Sequence, residues 1–185
     1  MSTVIRPERI AQLMKIEEQR FLDLHKASTA AFNQSSKVMH EGVPMSWMAK
    51  WPGAHPVFVK EAKGAHFTDL DGHDYIDFCL GDTGSMTGHS PAATVAAVKA
   101  QIDKGITAML PSENAAIVSD LLRERFGLPL WQFTVSATDA NRHVIRYSRM
   151  ITGRSKIVVI DRCYHGSVDE TFATLDDAGF TVKRE

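Results

Sequence analysis

Two short strand-like runs, residues 131–135 and 156–160, flank a segment of helical periodicity, and this arrangement constrains the fold more than any other feature. The first run has strand propensity. The second, Lys156-Ile157-Val158-Val159-Ile160, is apolar almost throughout, as strands buried on both faces are. Between them Ala140, Val144, Tyr147 and Ile151 share one helical stripe, and Gly153 closes it. Strand, helix, strand predicts a βαβ unit and hence an α/β fold with a mainly parallel sheet. Ser167 with Glu170 fits a capping box, which predicts another helix. Upstream, Ser90 and Pro91 open a helix lined by Val95, Val98 and Ile102. Ser112 opens a second, with Ile117, Leu121 and Leu122 apolar and Gly127 at its end.

The N-terminal part reads differently. Residues 7–36 are expected to be helical, with Pro7 in the first turn and Ile10, Leu13, Met14, Phe21 and Leu24 at roughly helical spacing. Residues 43–56 hold three prolines and one glycine and read as irregular; Trp47 and Trp51 sit there. Over residues 57–78 the pattern turns to β, with Lys63-Gly64 and Asp71-Gly72 as turns, which predicts a small antiparallel meander. Asp69, Asp71 and Asp74 around Gly72 have the look of a calcium loop, but position twelve from Asp69 is Leu80 where a glutamate is needed. Solvated turn carboxylates are expected there and no metal. The expected domains are residues 1–80, a helical arm with the meander, and residues 81–185, the first part of a larger α/β domain.

A net charge of −1 and a pI near 6.7 give no field for nucleic acid or a membrane surface. Cys79 and Cys163 are too few for a disulfide framework and predict free thiols in a reducing cytoplasm. No apolar run reaches about 18 residues, so no membrane span is expected. The last residues follow a strand-like stretch directly, which reads as a fragment of a longer chain.

The chemistry concentrates in Phe133-Thr134-Val135-Ser136-Ala137-Thr138-Asp139-Ala140-Asn141. A strand ending in small hydroxylated residues passes straight into a helix. The first amides of a helix lack internal partners, and the macrodipole adds partial positive charge. With the hydroxyls of Ser136 and Thr138 and the small Ala137, this predicts an anion site best suited to phosphate. The plain alternative is that Ser136 or Thr138 only caps the helix. Asp161-Arg162-Cys163-Tyr164-His165-Gly166-Ser167 follows the next expected strand, which puts it on the same rim of a parallel sheet. Tyr164 and His165 there offer rings to a flat ligand, or simply pack at a strand end. His89 after Gly88 is either a substrate contact or a hydrogen-bonded structural histidine. No dinucleotide fingerprint, P-loop lysine or metal-spaced histidine pair is present.

These segments resemble the class III, fold type I enzymes of pyridoxal phosphate (PLP), the family of ω-aminotransferases and glutamate-1-semialdehyde aminomutase. The family's Ser-Gly-Thr-Glu-Ala-Asn corresponds to Ser136-Ala137-Thr138-Asp139-Ala140-Asn141. Thr152-Gly153-Arg154-Ser155-Lys156-Ile157 resembles its next stretch, and Tyr164-His165-Gly166 matches its Tyr-His-Gly. Asp71-Gly72-His73-Asp74-Tyr75-Ile76-Asp77-Phe78 resembles its N-terminal arm, and Gly88-His89-Ser90-Pro91 its Gly-His-x-x-Pro, one residue short. The likeness covers residues 57–170. Ala137 in place of glycine adds a methyl where phosphate approaches and makes a positive φ costly.

The resemblance implies that Ser136, Ala137 and Thr138 hold the PLP phosphate, that Tyr164 stacks on the pyridine ring and that His165 sits close by. Trp47 and Met86 are the candidates for substrate contact, with packing as the alternative for both. The Schiff-base lysine of the family has no counterpart here, neither Lys156 nor Lys183 standing where it belongs, so the chain offers no catalytic residue and is expected to be inactive alone. The implied reaction is amino-group transfer between a small amino donor and a keto or aldehyde acceptor, in a homodimer. An aminomutase, or a non-catalytic fragment of the family, are the alternatives.

Overall fold

The computed structural model describes residues 6–184. It divides into two compact units, Met1–Thr107 and Ala108–Glu185. The cut by packing falls after the third helix, whereas the expected cut at residues 80 and 81 falls in the loop that follows the meander.

In the first unit α1 (Pro7–Leu24) and α2 (Lys26–Ser35) replace the single expected helix. The chain breaks at His25, whose backbone leaves helical geometry at φ −117° and ψ 50°. The His25 ring bonds back to the Phe21 carbonyl (2.8 Å) and stacks on the Phe21 ring, 4.3 Å between centroids. No side chain of its own caps α2. Asp71, far along the sequence, does so instead: its two oxygens accept from the amides of Ala27 (2.6 Å) and Ser28 (2.9 Å). A carboxylate on free helix amides is a charge-assisted cap aligned with the macrodipole. Burial works against ionisation of Asp71, but those two amides outweigh it and hold its carboxyl below the usual carboxylate range.

The meander forms as expected, with β1 (Val59–Lys63), β2 (His66–Asp69) and β3 (Asp74–Ile76) antiparallel in that order. Gly64 and Gly72, at φ +59° and +90°, supply the left-handed turn residues. Phe67 and Tyr75 pair across β2 and β3 and stack at 4.8 Å. Asp69 corrects the expectation of solvated carboxylates, because it is wholly buried. It accepts from the amides of Asp71 (2.9 Å) and His73 (2.8 Å), the Tyr75 hydroxyl (2.8 Å) and the His73 ring (3.1 Å). His25 Nε2 completes the cluster, 2.8 Å from the Tyr75 hydroxyl. Burial opposes the charge on Asp69; the hydrogen bonds prevail and lower its pKa from 3.8 to about 2. Burial, then the bond to Asp69, pushes the Tyr75 phenol up to about 12.

The unit closes with α3 (Ala92–Ile102). Pro91, not Ser90, is its N-cap residue; Ser90 is left-handed (φ 51°) and donates to the Ala62 carbonyl.

The second unit holds α4 (Glu113–Phe126) and α5 (Ala137–Thr152), each ended by a left-handed glycine, Gly127 and Gly153. The strands expected at residues 131–135 and 156–160 take part in no ladder among the described residues. A parallel strand draws every hydrogen bond from a neighbour distant in sequence, and none lies beside them. Their apolar side chains stay open: Val135 and Val158 are each 98% exposed. The helix expected after Ser167 is also absent. A short 3-10 turn, Asp169–Thr171, leads into a hairpin of β4 (Ala173–Leu175) and β5 (Thr181–Lys183). Asp161 draws that hairpin in by accepting from the Thr174 hydroxyl (2.7 Å) and the Leu175 amide (3.3 Å). Both cysteines are free. No described helix is long and apolar enough to cross a membrane.

Candidate functional site

The start of α5 leaves several hydrogen-bond donors open. Ser136, in extended geometry, is its N-cap, and Ser136 Oγ accepts from the Asp139 amide at 3.2 Å. That bond uses an oxygen lone pair and leaves the hydroxyl proton free. Thr138 repeats the logic: its Oγ1 accepts from the Ser167 amide at 3.0 Å, so its own proton is also free. The Ala137 and Thr138 amides have no acceptor among the described residues. Ser136 does cap the helix, but capping satisfies one amide and leaves these two. Ser136 and Ala137 are exposed and Thr138 is half-buried, so the turn opens to solvent. Two bare amides and two hydroxyl protons at the positive end of a 16-residue helix suit an oxyanion of more than one charge.

Ala137 needs no special backbone, being the first helical residue and not among those with positive φ. The expected strain from its methyl group therefore does not arise; the left-handed glycine of the site is Gly166.

The second predicted segment meets the first. Asn141 Nδ2 donates to the His165 carbonyl (2.9 Å), and the Arg142 guanidinium donates to the Ser167 carbonyl (3.2 Å). With the bond from Ser167 to Thr138, three ties staple residues 165–167 to α5. Gly166 makes this possible: at φ +79° a Cβ there would lie 2.4 Å from Thr138 Oγ1 and 2.8 Å from Thr138 Cα. No larger residue fits the approach. Tyr164, next to the staple, is 72% exposed. His165 Nε2 is buried without a partner, and an orphaned buried nitrogen beside open donors is a place where another group is wanted.

Asn141, Arg142 and Ser167 escaped the reading of the sequence as contributors. The signal was available, since Thr138, Asn141 and Arg142 lie three and four residues apart, on one face of a helix. Trp47 and Met86 lie in the other compact unit and are both exposed, at 61% and 75%. Trp47 stands in the short 3-10 turn Ser46–Ala49 with its indole N–H on Met45 Sδ, and Met86 in the loop after β3. His25, Asp69 and His73 bring possible metal donors within 4.8 Å of one another. Those atoms are already engaged with the Tyr75 hydroxyl and one another, as a hydrogen-bonded core cluster would be.

Comparison with known proteins follows the same lines. The model of the family "Aminotransferase class-III" matches residues 47–181. Glutamate-1-semialdehyde 2,1-aminomutase of Thermodesulfovibrio yellowstonii is 33% identical over 156 residues, covering 83% of this chain and 36% of the relative. The namesake of Thermoplasma volcanium is 40% identical over 116 residues, 62% of this chain and 28% of its own. Among solved structures, a glutamate-1-semialdehyde-aminomutase from Pseudomonas aeruginosa PAO1 superposes with a TM-score of 0.91 at 47% identity, over 97% of this chain and 40% of that one. A lysine-to-alanine variant of it has also been solved in complex with PMP. An omega-transaminase from Sphaerobacter thermophilus gives 0.76 at 30% identity, over 85% and 37%. The chain thus spans well under half the length of these relatives. Motifs, fold and family model converge: this chain belongs to the class III aminotransferases, PLP enzymes of fold type I.

Proposed function

We propose that the turn Ser136-Ala137-Thr138 holds the phosphate of PLP, that Tyr164 covers the face of its ring and that His165 Nε2 serves a group near the ring. The observation that carries this reading is the pair of free amides at Ala137 and Thr138, flanked by two hydroxyls whose protons are unspent. When bound, PLP supplies an electron sink for carbanion chemistry. This chain's residues bind and orient it: the cradle fixes the phosphate end, and the staple through Gly166 holds Tyr164 and His165 beside it. Family membership supports amino-group transfer between a small amino donor and a keto or aldehyde acceptor as the reaction of the whole protein. The 47% identity to the P. aeruginosa aminomutase favours a second reading, in which an amino group moves within one molecule. Residues 1–80 would be the arm and part of the small domain, residues 81–185 the first part of the cofactor domain, and the assembly a cytoplasmic homodimer. The chain by itself, lacking a candidate Schiff-base lysine, would be inactive.

Calorimetric titration of the chain with PLP, pyridoxal and inorganic phosphate tests the cradle. PLP is expected to bind, phosphate to compete with it, and pyridoxal to bind at least tenfold more weakly. Equal affinity for PLP and pyridoxal would remove the phosphate reading. Assays of the full-length protein, for amino exchange with a keto acid and for isomerisation of glutamate-1-semialdehyde, separate the two reactions.

A further inference from the structure

We infer that His25 is held with a proton on each ring nitrogen, and that the helical arm of α1 and α2 therefore docks on the meander in a pH-dependent way. One hydrogen-bonded row, from the Phe21 carbonyl to Asp69, fixes where the protons lie. His25 Nδ1 is 2.8 Å from that carbonyl, which can only accept, so Nδ1 carries a proton. Nε2 faces two oxygens, the Tyr75 hydroxyl at 2.8 Å and Asp69 Oδ2 at 3.6 Å. The hydroxyl is itself 2.8 Å from Asp69 Oδ2, and it has one proton for both contacts. Turned towards His25, that proton would leave a phenol oxygen and a carboxylate oxygen in contact with nothing between them. It therefore points to Asp69, and Nε2 must bring its own proton to the phenol oxygen. Both ring nitrogens donate, so the ring is an imidazolium.

The surroundings suit that charge. Burial opposes ionisation of Asp69, yet its hydrogen bonds lower its pKa to about 2, so it is a carboxylate. Burial and the bond to Asp69 push the Tyr75 phenol up to about 12, so it keeps its proton. The His25 side chain is only 11% exposed, and a sequestered ion pair is little screened by water. The Phe21 ring stacks on it, and an aromatic face attracts a cation. His73 also lies against the ring, 4.9 Å between centroids. Its Nδ1 needs one proton to reach Asp69, and a second charge there would face the first, so one cation serves one carboxylate. Asp71 stays on the amides of Ala27 and Ser28, and His55, across Phe21, bonds Thr29 instead of the His25 ring. An unfolded histidine holds its second proton only below about 6.5. The docked arm thus binds more protons than the released arm, and docking weakens as the pH rises. Without its second proton Nε2 turns a lone pair on the Tyr75 and Asp69 oxygens, and the tie across to the meander is lost.

Nitrogen NMR of the full chain with isotope-labelled histidine reads the ring directly. His25, assigned by the signal lost in His25→Gln, should show two protonated ring nitrogens at a pH where the exposed His40 shows one. One protonated nitrogen on His25 at that pH would overturn the inference, in the wild type and without any variant that has to fold. Asp69→Asn removes the charge that holds the second proton and should make His25 titrate with His40. His73→Gln, which keeps a donor to Asp69, should leave the His25 ring as in the wild type; a change as large as that of Asp69→Asn would overturn the pairing of His25 with Asp69. Amide hydrogen exchange, corrected for the intrinsic rate, reads the docking. Protection of the Ala27 and Ser28 amides, which Asp71 accepts from across the chain, should fall about fivefold between about pH 6 and 8.5 in the wild type and stay level in Asp69→Asn. Level protection in the wild type would overturn the pH dependence of the arm.

Discussion

Two clusters of polar side chains, one in each compact unit, are made of similar residues and do opposite things. Around Asp69 a carboxylate, a tyrosine, two histidines and two amides satisfy one another, and the acid is wholly buried. Around Ser136 and Thr138 two amides, two hydroxyl protons and the His165 nitrogen are left over. Folding selects the first kind, because an unpaired buried polar group costs more than a made bond returns. The second kind survives where an opening to solvent or a ligand completes it. The satisfied cluster therefore reads as structure and the unsatisfied one as function, although composition alone would rank them alike.

The largest expected effect is on the closed cluster. Asp69→Ala strands two side chains and two amides at a buried position and should cost about 3 kcal/mol, read as a lower urea midpoint. A small change there would erase the distinction between the clusters. Acid acts on the same group. The Asp69 pKa is depressed from 3.8 to about 2, so its contribution is complete above about pH 4 and lost as the pH falls through about 2. The wild-type midpoint should fall across that window, and Asp69→Asn should flatten this part of the profile.

Gly166→Ala comes next, and it strikes the open cluster. The added methyl meets Thr138 and the backbone is left-handed, so about 2 kcal/mol of local stability should be lost, with at least a tenfold weaker affinity for PLP by titration. Intact PLP affinity with an intact fold would separate the staple from the cradle. Thr138→Val removes the acceptor of the Ser167 amide and one free proton; about 1 kcal/mol and severalfold in PLP affinity are expected. Ala137→Gly should be the mildest, less than about 1 kcal/mol with nearly unchanged PLP affinity, since the position is helical and its amide is retained.

Local signals were legible in proportion to how local their physics is. Gly127 and Gly153 end α4 and α5 because only a left-handed residue closes those helices cheaply, and both were readable. So were the turns at Gly64 and Gly72, and the union of a hydroxyl-rich helix start with the Tyr-His-Gly segment. Legibility failed where a remote group intervened. The break at His25 is held by contacts to Tyr75 and by Asp71 capping α2, both far along the chain. The helix expected after Ser167 gave way because the Ser167 amide is taken by Thr138, while Asp161 holds Thr174 and Leu175. The runs at residues 131–135 and 156–160 have the composition of strands but no neighbours to make them so.

Sequence alone determined the helices α4 and α5, the meander, the family and the hydroxyl-rich start of α5, because caps, turns and periodicity act over a few residues. Tertiary structure decided that Asp69 is a buried hub, that Asp71 caps a helix, that Gly166 is the close approach and that Asp77 bonds His89. Each of those outcomes is a hydrogen bond or a contact between residues far apart in the chain, and only folding specifies which of many possible partners is met.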